Sequence, residues 1–111
     1  MTAKTQEFAS GLNQPPLFLS IDEEGGKVAR IANHQGFDLP KVDTMAEIGK
    51  TGDTSRAYEA GSVIGGYLEK FGINLDFAPD ADVLTNPDNT VVLDRSFGSD
   101  PVLVTQMVKA T

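Results

Sequence analysis

Cysteine is absent from the 111 residues. Its absence excludes a disulfide framework, a thiolate zinc site and a cysteine nucleophile, and leaves the redox compartment open. Basic residues are scarce, nine against sixteen acidic, and the formal charge of −7 repels phosphate backbones and anionic membrane surfaces. Nucleic acid is therefore not an expected partner. No apolar run approaches the ~20 residues of a membrane span, and residues 1–8 lack the apolar core of a signal peptide. The compartment, cytoplasmic or secreted, stays open. No internal repeat or low-complexity segment suggests a solenoid. A chain of this length has room for one modest domain with a single core, burying about two-thirds of its unfolded surface.

What is present is organised around residues 16–30. Residues 17–21 read as a strand buried on both faces, bounded by prolines and ending in Asp22, Glu23, Glu24 and the pair Gly25-Gly26. In parallel α/β folds ligands sit outside the carboxyl ends of strands, so an acid delivered there ahead of permissive glycines reads as a site. Asp22 is the first candidate. The alternative is an acid that merely caps the turn.

Along the rest of the chain, Phe8 and Leu12 at helical spacing predict a short helix over 2–13, stopped before Pro15-Pro16. Residues 28–40 follow no single period and read as a structured loop. Met45 and Ile48 predict one or two helical turns, broken from Gly49 to Gly52. Asp53 or Thr54 then caps a longer helix to about residue 71, with the stripe Ala57, Ala60, Gly61, Ile64 and Leu68. Gly61, Gly65 and Gly66 each cost that helix roughly 1 kcal/mol relative to alanine, which close packing of helix on sheet would offset. Gly72 suits a helix C-terminus. Residues 73–79 alternate as a second strand, a loop follows, and residues 91–93 read as a short extended piece. Ser99-Asp100-Pro101 opens a last helix. This rhythm predicts an α/β fold with about two to three parallel strands and flanking helices. Met45 and Met107 read as core filler, and Asp76, Asp80 and Asp82 as hydrogen-bonding groups of strand end and loop.

Three motifs carry a resemblance: Ile21-Asp22-Glu23-Glu24-Gly25-Gly26-Lys27-Val28-Ala29-Arg30, Phe77-Ala78-Pro79-Asp80-Ala81-Asp82-Val83, and Arg95-Ser96-Phe97-Gly98-Ser99-Asp100-Pro101. In this order and spacing they resemble the N-terminal catalytic domain of glycoside hydrolase family 3, from about Pro15 to the end. The Glu-Glu-Gly-Gly and Arg-Ser-Phe-Gly forms are similar to its β-N-acetylhexosaminidase branch. The resemblance implies residues 1–111 as a partial domain, a portion of a (β/α)₈ TIM barrel. It also implies a carbohydrate substrate, terminal β-linked N-acetylglucosamine, hydrolysed with retention and without a cofactor.

By motif match, Asp22 is the acid that hydrogen-bonds sugar hydroxyls, and Arg30 and Arg95 are two arginines near the sugar. The competing readings are surface pairing of Arg30 with Glu23 or Glu24, and bracing of Arg95 by Asp94 or Asp100. The family's Lys-His pair, catalytic histidine and aspartate nucleophile have no match here; the only histidine, His34, lacks their context. The chain is thus expected to be an internal slice of the barrel, inactive alone and self-associating through open sheet edges. β-Glucosidase or β-xylosidase specificity, and a non-catalytic sugar-binding or assembly module, remain alternatives. Asp22 and Glu24 fall on one side of an extended run, as a hard metal would require, but the glycines break that run and no metal site is expected.

Overall fold

A computed structural model describes residues 1–111. The elements in order are α1 (Thr2–Gly11), β1 (Ser20–Ile21), β2 (Glu23–Gly25), β3 (Val28–Ala29), α2 (Met45–Thr51), α3 (Thr54–Lys70), β4 (Leu75–Asp76) and α4 (Pro101–Ala110). β1 and β4 pair in parallel, Ser20 opposite Leu75 and Ile21 opposite Asp76. The chain between them contains α2 and α3, so the unit is strand, helices, strand, as the sequence rhythm predicts. β2 and β3 form a separate antiparallel hairpin.

Helices α2, α3 and α4 begin where a side chain caps them, whereas α1 has no side-chain cap. The Thr44 hydroxyl accepts from the Glu47 amide at 3.2 Å, Asp53 from Ser55 at 2.9 Å, and Asp100 from Val102 at 2.9 Å. Each satisfies one of the orphan amides of a first turn.

The interior divides into two apolar clusters, where a single core was expected. Met45, Ile48, Ala57, Ala60, Phe97, Val104 and Met107 join α2, α3, α4 and the loop before α4. Ala29, Ala32, Ile64, Tyr67 and Leu68 join α3 to the hairpin. Val42 packs against both clusters. Burying the Phe97 side chain stabilises this arrangement by about 1.5–3 kcal/mol.

Several expectations are corrected. The run 17–21 is not buried on both faces: Phe18 is 81 % exposed, because only two short strands pair and α3 covers one side of them. Residues 17 and 18 lie outside the ladder, and Leu19 joins it only through its carbonyl, which accepts from the Asn74 and Leu75 amides. Gln6 holds both polar groups of Leu17 at 2.9 Å, and Asn74 accepts from the Leu19 amide at 2.8 Å. Phe8 and Leu12 of the first helix are exposed rather than packed. Residues 91–93 are not extended. The Asn89 carboxamide oxygen accepts from Val91 and Val92, and the Leu93 amide reaches back to the Asn89 carbonyl, which winds the segment into turns. The loop 28–40 opens with β3, which periodicity did not reveal.

Among the glycines, Gly49 does not break α2 but lies within it, against the Phe97 carbonyl. Gly61 packs on the last residue, Thr111, rather than on a sheet, while Gly65 and Gly66 face open space. No helix is long and apolar enough to cross a membrane.

Candidate functional site

The site is built where β1 ends and the hairpin begins. Asp22 follows Ile21 directly, and its carboxylate is half exposed. The chain turns back at Gly26, whose φ of 52° suits glycine and whose missing Cβ leaves room for Thr44. β3 then delivers Arg30. Its guanidinium lies 3.7 Å from the Asp22 carboxylate, and its side chain is 64 % exposed. An exposed pair at that distance is worth little in stability. Both groups therefore remain open to a ligand.

The two glutamates after Asp22 are not the surface partners of Arg30 that the sequence suggested. Both are buried. Glu23 accepts from the amides of Ile31 and Ala32 and from the Tyr67 hydroxyl, each at 2.9 Å. Glu24 receives Nε and Nη2 of Arg95, both at 2.8 Å. That bidentate fork is the strong form of the ion pair. Asp80 is a second acid on the same guanidinium, 3.5 Å from Nη2, and its buried Oδ2 has no hydrogen bond of its own.

Arg95 is thus braced by Glu24 and Asp80, not by Asp94 or Asp100, the partners of the competing reading. Asp94 pairs with Lys27, and Asp100 caps α4. Three successive residues of the third motif have separate anchors. Arg95 grips Glu24, the Ser96 hydroxyl donates to the Asp82 carbonyl at 2.6 Å, and Phe97 enters the core.

The electrostatics follow from these contacts. The hydrogen bond to Glu24 pushes the Arg95 guanidinium above its ordinary value, with Asp80 adding to the shift. Burial pushes the Asp76 carboxyl up, opposed by the Glu23 amide that it accepts at 3.0 Å. Burial, reinforced by Glu23, drives the Tyr67 phenol far above its usual range and keeps it a hydrogen-bond donor.

The structure places Asp22 and Arg30 together. Arg95 joins the same hairpin through Glu24, two residues from Asp22. His34 stands apart, its Nδ1 accepting from the Gly36 amide within its own turn. Asp22 and Glu24 do not form a metal pair, since both oxygens of Glu24 belong to Arg95. No three acidic or histidine side chains converge elsewhere. The Glu24–Arg95 fork and the Glu23 network escaped the sequence reading. The one available signal was a doubled acid within a chain segment otherwise bound for the interior.

Comparison with known proteins bears on the family and the fold. The model for the glycosyl hydrolase family 3 N terminal domain matches residues 2–111. Beta-hexosaminidase LpqI of Mycobacterium tuberculosis is 40% identical over 99 residues, which make up 89% of this chain and 25% of that protein. Beta-hexosaminidase A of Pseudoalteromonas piscicida is 43% identical over 96 residues, covering 86% of this chain and 16% of its own. A glycoside hydrolase family 3 beta-N-acetylglucosaminidase from a Paenibacillus species superposes with a TM-score of 0.84 at 37% identity, over 98% of this chain and 20% of that one. NagZ from Neisseria gonorrhoeae, in complex with N-trifluoroacetyl-D-glucosamine, gives 0.74 at 25% identity, over 99% and 34%. The chain spans a quarter or less of these two curated relatives. Its parallel pair with connecting helices is a portion of a (β/α)₈ barrel, and the chain belongs to glycoside hydrolase family 3, within the N-terminal domain.

Proposed function

We propose that the polypeptide carrying this chain hydrolyses terminal β-linked N-acetylglucosamine with retention, and that Asp22, Arg30 and Arg95 contact the sugar. The observation that carries the reading is Asp22 itself, a half-exposed carboxylate at the C-terminal end of a parallel strand, beside an exposed guanidinium. An ionised carboxylate only accepts, which suits vicinal hydroxyl donors, and a guanidinium donates in a fixed fork. Arg95 uses two of its donors on Glu24 and keeps others for a ligand. The relatives named hexosaminidase and acetylglucosaminidase favour an N-acetylhexosaminide over a glucoside or xyloside.

Residues 1–111 are, on this reading, one partial domain. Retention needs two catalytic groups held ~5 Å apart. Glu23, Glu24, Asp80 and Asp100 are already engaged by backbone amides or by cations. The nucleophile and the acid are assigned to residues outside these 111, and no cofactor is invoked.

The test is hydrolysis of an aryl β-N-acetylglucosaminide by this chain, by the product of the complete reading frame, and by the Asp22→Ala variant of that product. Activity is expected only in the longer protein, with kcat/KM reduced by about 10–100-fold on losing charge-assisted hydrogen bonds. Activity in the short chain refutes the division of labour. An Asp22→Ala variant as active as its parent refutes the sugar site, and inactivity throughout favours a binding module.

A further inference from the structure

Glu23 is fully buried, yet it lies among alanines and the aliphatic side chains of α3 and contacts no cation. Taking a carboxylate out of water costs several kcal/mol, and an apolar side chain of similar size is often as stable or better. Stability alone is a weak reason for an acid here. Its contacts give a stronger one. Every group that meets the two oxygens is a donor: the Ile31 amide on Oε2, and the Ala32 amide and Tyr67 hydroxyl on Oε1. The two amides belong to successive peptide units, Arg30–Ile31 and Ile31–Ala32, so the carboxylate fixes the orientation of both.

The first of these units begins at the Arg30 carbonyl. On the other side of Arg30, Ala29 is the ladder partner of Glu23 itself. Arg30 is therefore bracketed by two attachments to one residue, backbone pairing before it and side-chain bonds after it. Its own guanidinium has only the loose 3.7 Å pairing with Asp22. The aim of Arg30 is set by its backbone, and Glu23 sets the backbone. Tyr67 completes the device from α3 by giving the buried carboxylate a third donor and tying the hairpin to the longest helix.

We propose that Glu23 and Tyr67 are positioning residues for Arg30, a clamp that aims its guanidinium at the sugar beside Asp22. The proposal rests on the sugar-site reading of Arg30. It goes beyond that reading in assigning the aim of the arginine to a buried acid and a helix tyrosine that do not reach the ligand.

The test is a double-mutant cycle in the product of the complete reading frame, measuring kcat and KM for an aryl β-N-acetylglucosaminide with Tyr67→Phe, Arg30→Ala and the pair. Tyr67→Phe removes one donor without changing the ring. It is expected to raise KM by about three- to ten-fold with kcat changed less than about two-fold, and to have no further effect on KM in the Arg30→Ala background. The same rise in KM in both backgrounds overturns the proposal, since a purely structural role would act with or without the arginine. Arg30→Ala with an unchanged KM overturns the sugar-site reading of Arg30, and the clamp with it. Amide hydrogen exchange supplies a readout that needs no substrate. Ile31 and Ala32 are expected to exchange slowly in the parent and at least about ten-fold faster in Glu23→Gln, which presents a donor where an acceptor stood. Unprotected amides in the parent overturn the clamp whatever the glycosidase assay shows.

Discussion

Replacing Gly49 by alanine tests how the third motif is held. A Cβ on Gly49 would fall 1.9 Å from the Phe97 carbonyl oxygen, 2.6 Å from its carbon and 2.9 Å from its Cα. All three are backbone atoms, so no side-chain rotation relieves the overlap. The loop cannot simply retreat, because Arg95 is held by Glu24, Ser96 by Asp82, and Phe97 is 2 % exposed in the core. Alanine gains about 1 kcal/mol of helix propensity over glycine. Overpacking typically costs 1–3 kcal/mol and more where backbone must shift, and partial release of Phe97 forfeits some of its roughly 1.5–3 kcal/mol of burial. The balance is a loss of about 2–3 kcal/mol, read by urea unfolding followed by far-ultraviolet circular dichroism. Gly65→Ala is the control, since it lies inside α3 with nothing within 4 Å of the added carbon. It should gain about 0.5–1 kcal/mol. If Gly49→Ala proves as stable as Gly65→Ala, the close approach of α2 to the Phe97 carbonyl is not a feature of the folded chain.

Glu24→Ala removes both 2.8 Å bonds and leaves the partly buried Arg95 with Asp80 alone. Because a third of the Arg95 side chain meets water, the urea-unfolding loss is expected to be about 2–3 kcal/mol, at or just below the bottom of the ~3–5 kcal/mol range for a broken fully buried pair; a variant as stable as the parent would refute the brace. Asp76→Asn probes pH. Burial raises the Asp76 carboxyl, so the folded chain holds a proton more tightly than the unfolded one and stability falls as pH rises through the raised value. The amide keeps an oxygen for the Glu23 N–H, so the variant is expected to be more stable at neutral pH, with the gap closing on acidification; a gap that widens would reverse the argument. Finally, the unpaired edges of β1 and β4 and the exposed Phe18 and Phe77 predict concentration-dependent association of the isolated chain in sedimentation velocity, and a monomer at every concentration would count against it.

Local signals carried the helices and the parallel pair. The caps at Asp53 and Asp100 and the stripe Ala57, Ala60, Ile64 and Leu68 act within a few residues, and each appears where its spacing places it. Tyr67 was not on the expected stripe. It is buried because its hydroxyl finds Glu23, 44 residues earlier in the chain, and no window of helical length contains that partner. The same holds for residues 17–21. Their composition suits a strand covered on both faces, but coverage is a property of neighbours, and here one side of the pair stays open. The motifs singled out Asp22, Arg30 and Arg95, in two separate stretches of chain; the contact that brings Arg95 to the hairpin, and the buried acids beside both arginines, were legible only in three dimensions.

The run Asp22-Glu23-Glu24 shows why. Strict alternation would send Asp22 and Glu24 to one side and Glu23 to the other. The register shift between Glu23 and Gly25 breaks that alternation, and both glutamates enter the interior on different partners. What decides burial is the supply of donors. Glu23 meets two backbone amides and a phenol, and Glu24 meets a guanidinium from 71 residues away. Asp22 meets only a loose, exposed arginine, so its lone pairs remain available to whatever approaches the end of β1. Three chemically similar acids thus separate into two that brace the hairpin from within and one left half exposed, the one proposed to meet the sugar. Exchanging their environments, rather than their identities, would exchange those roles.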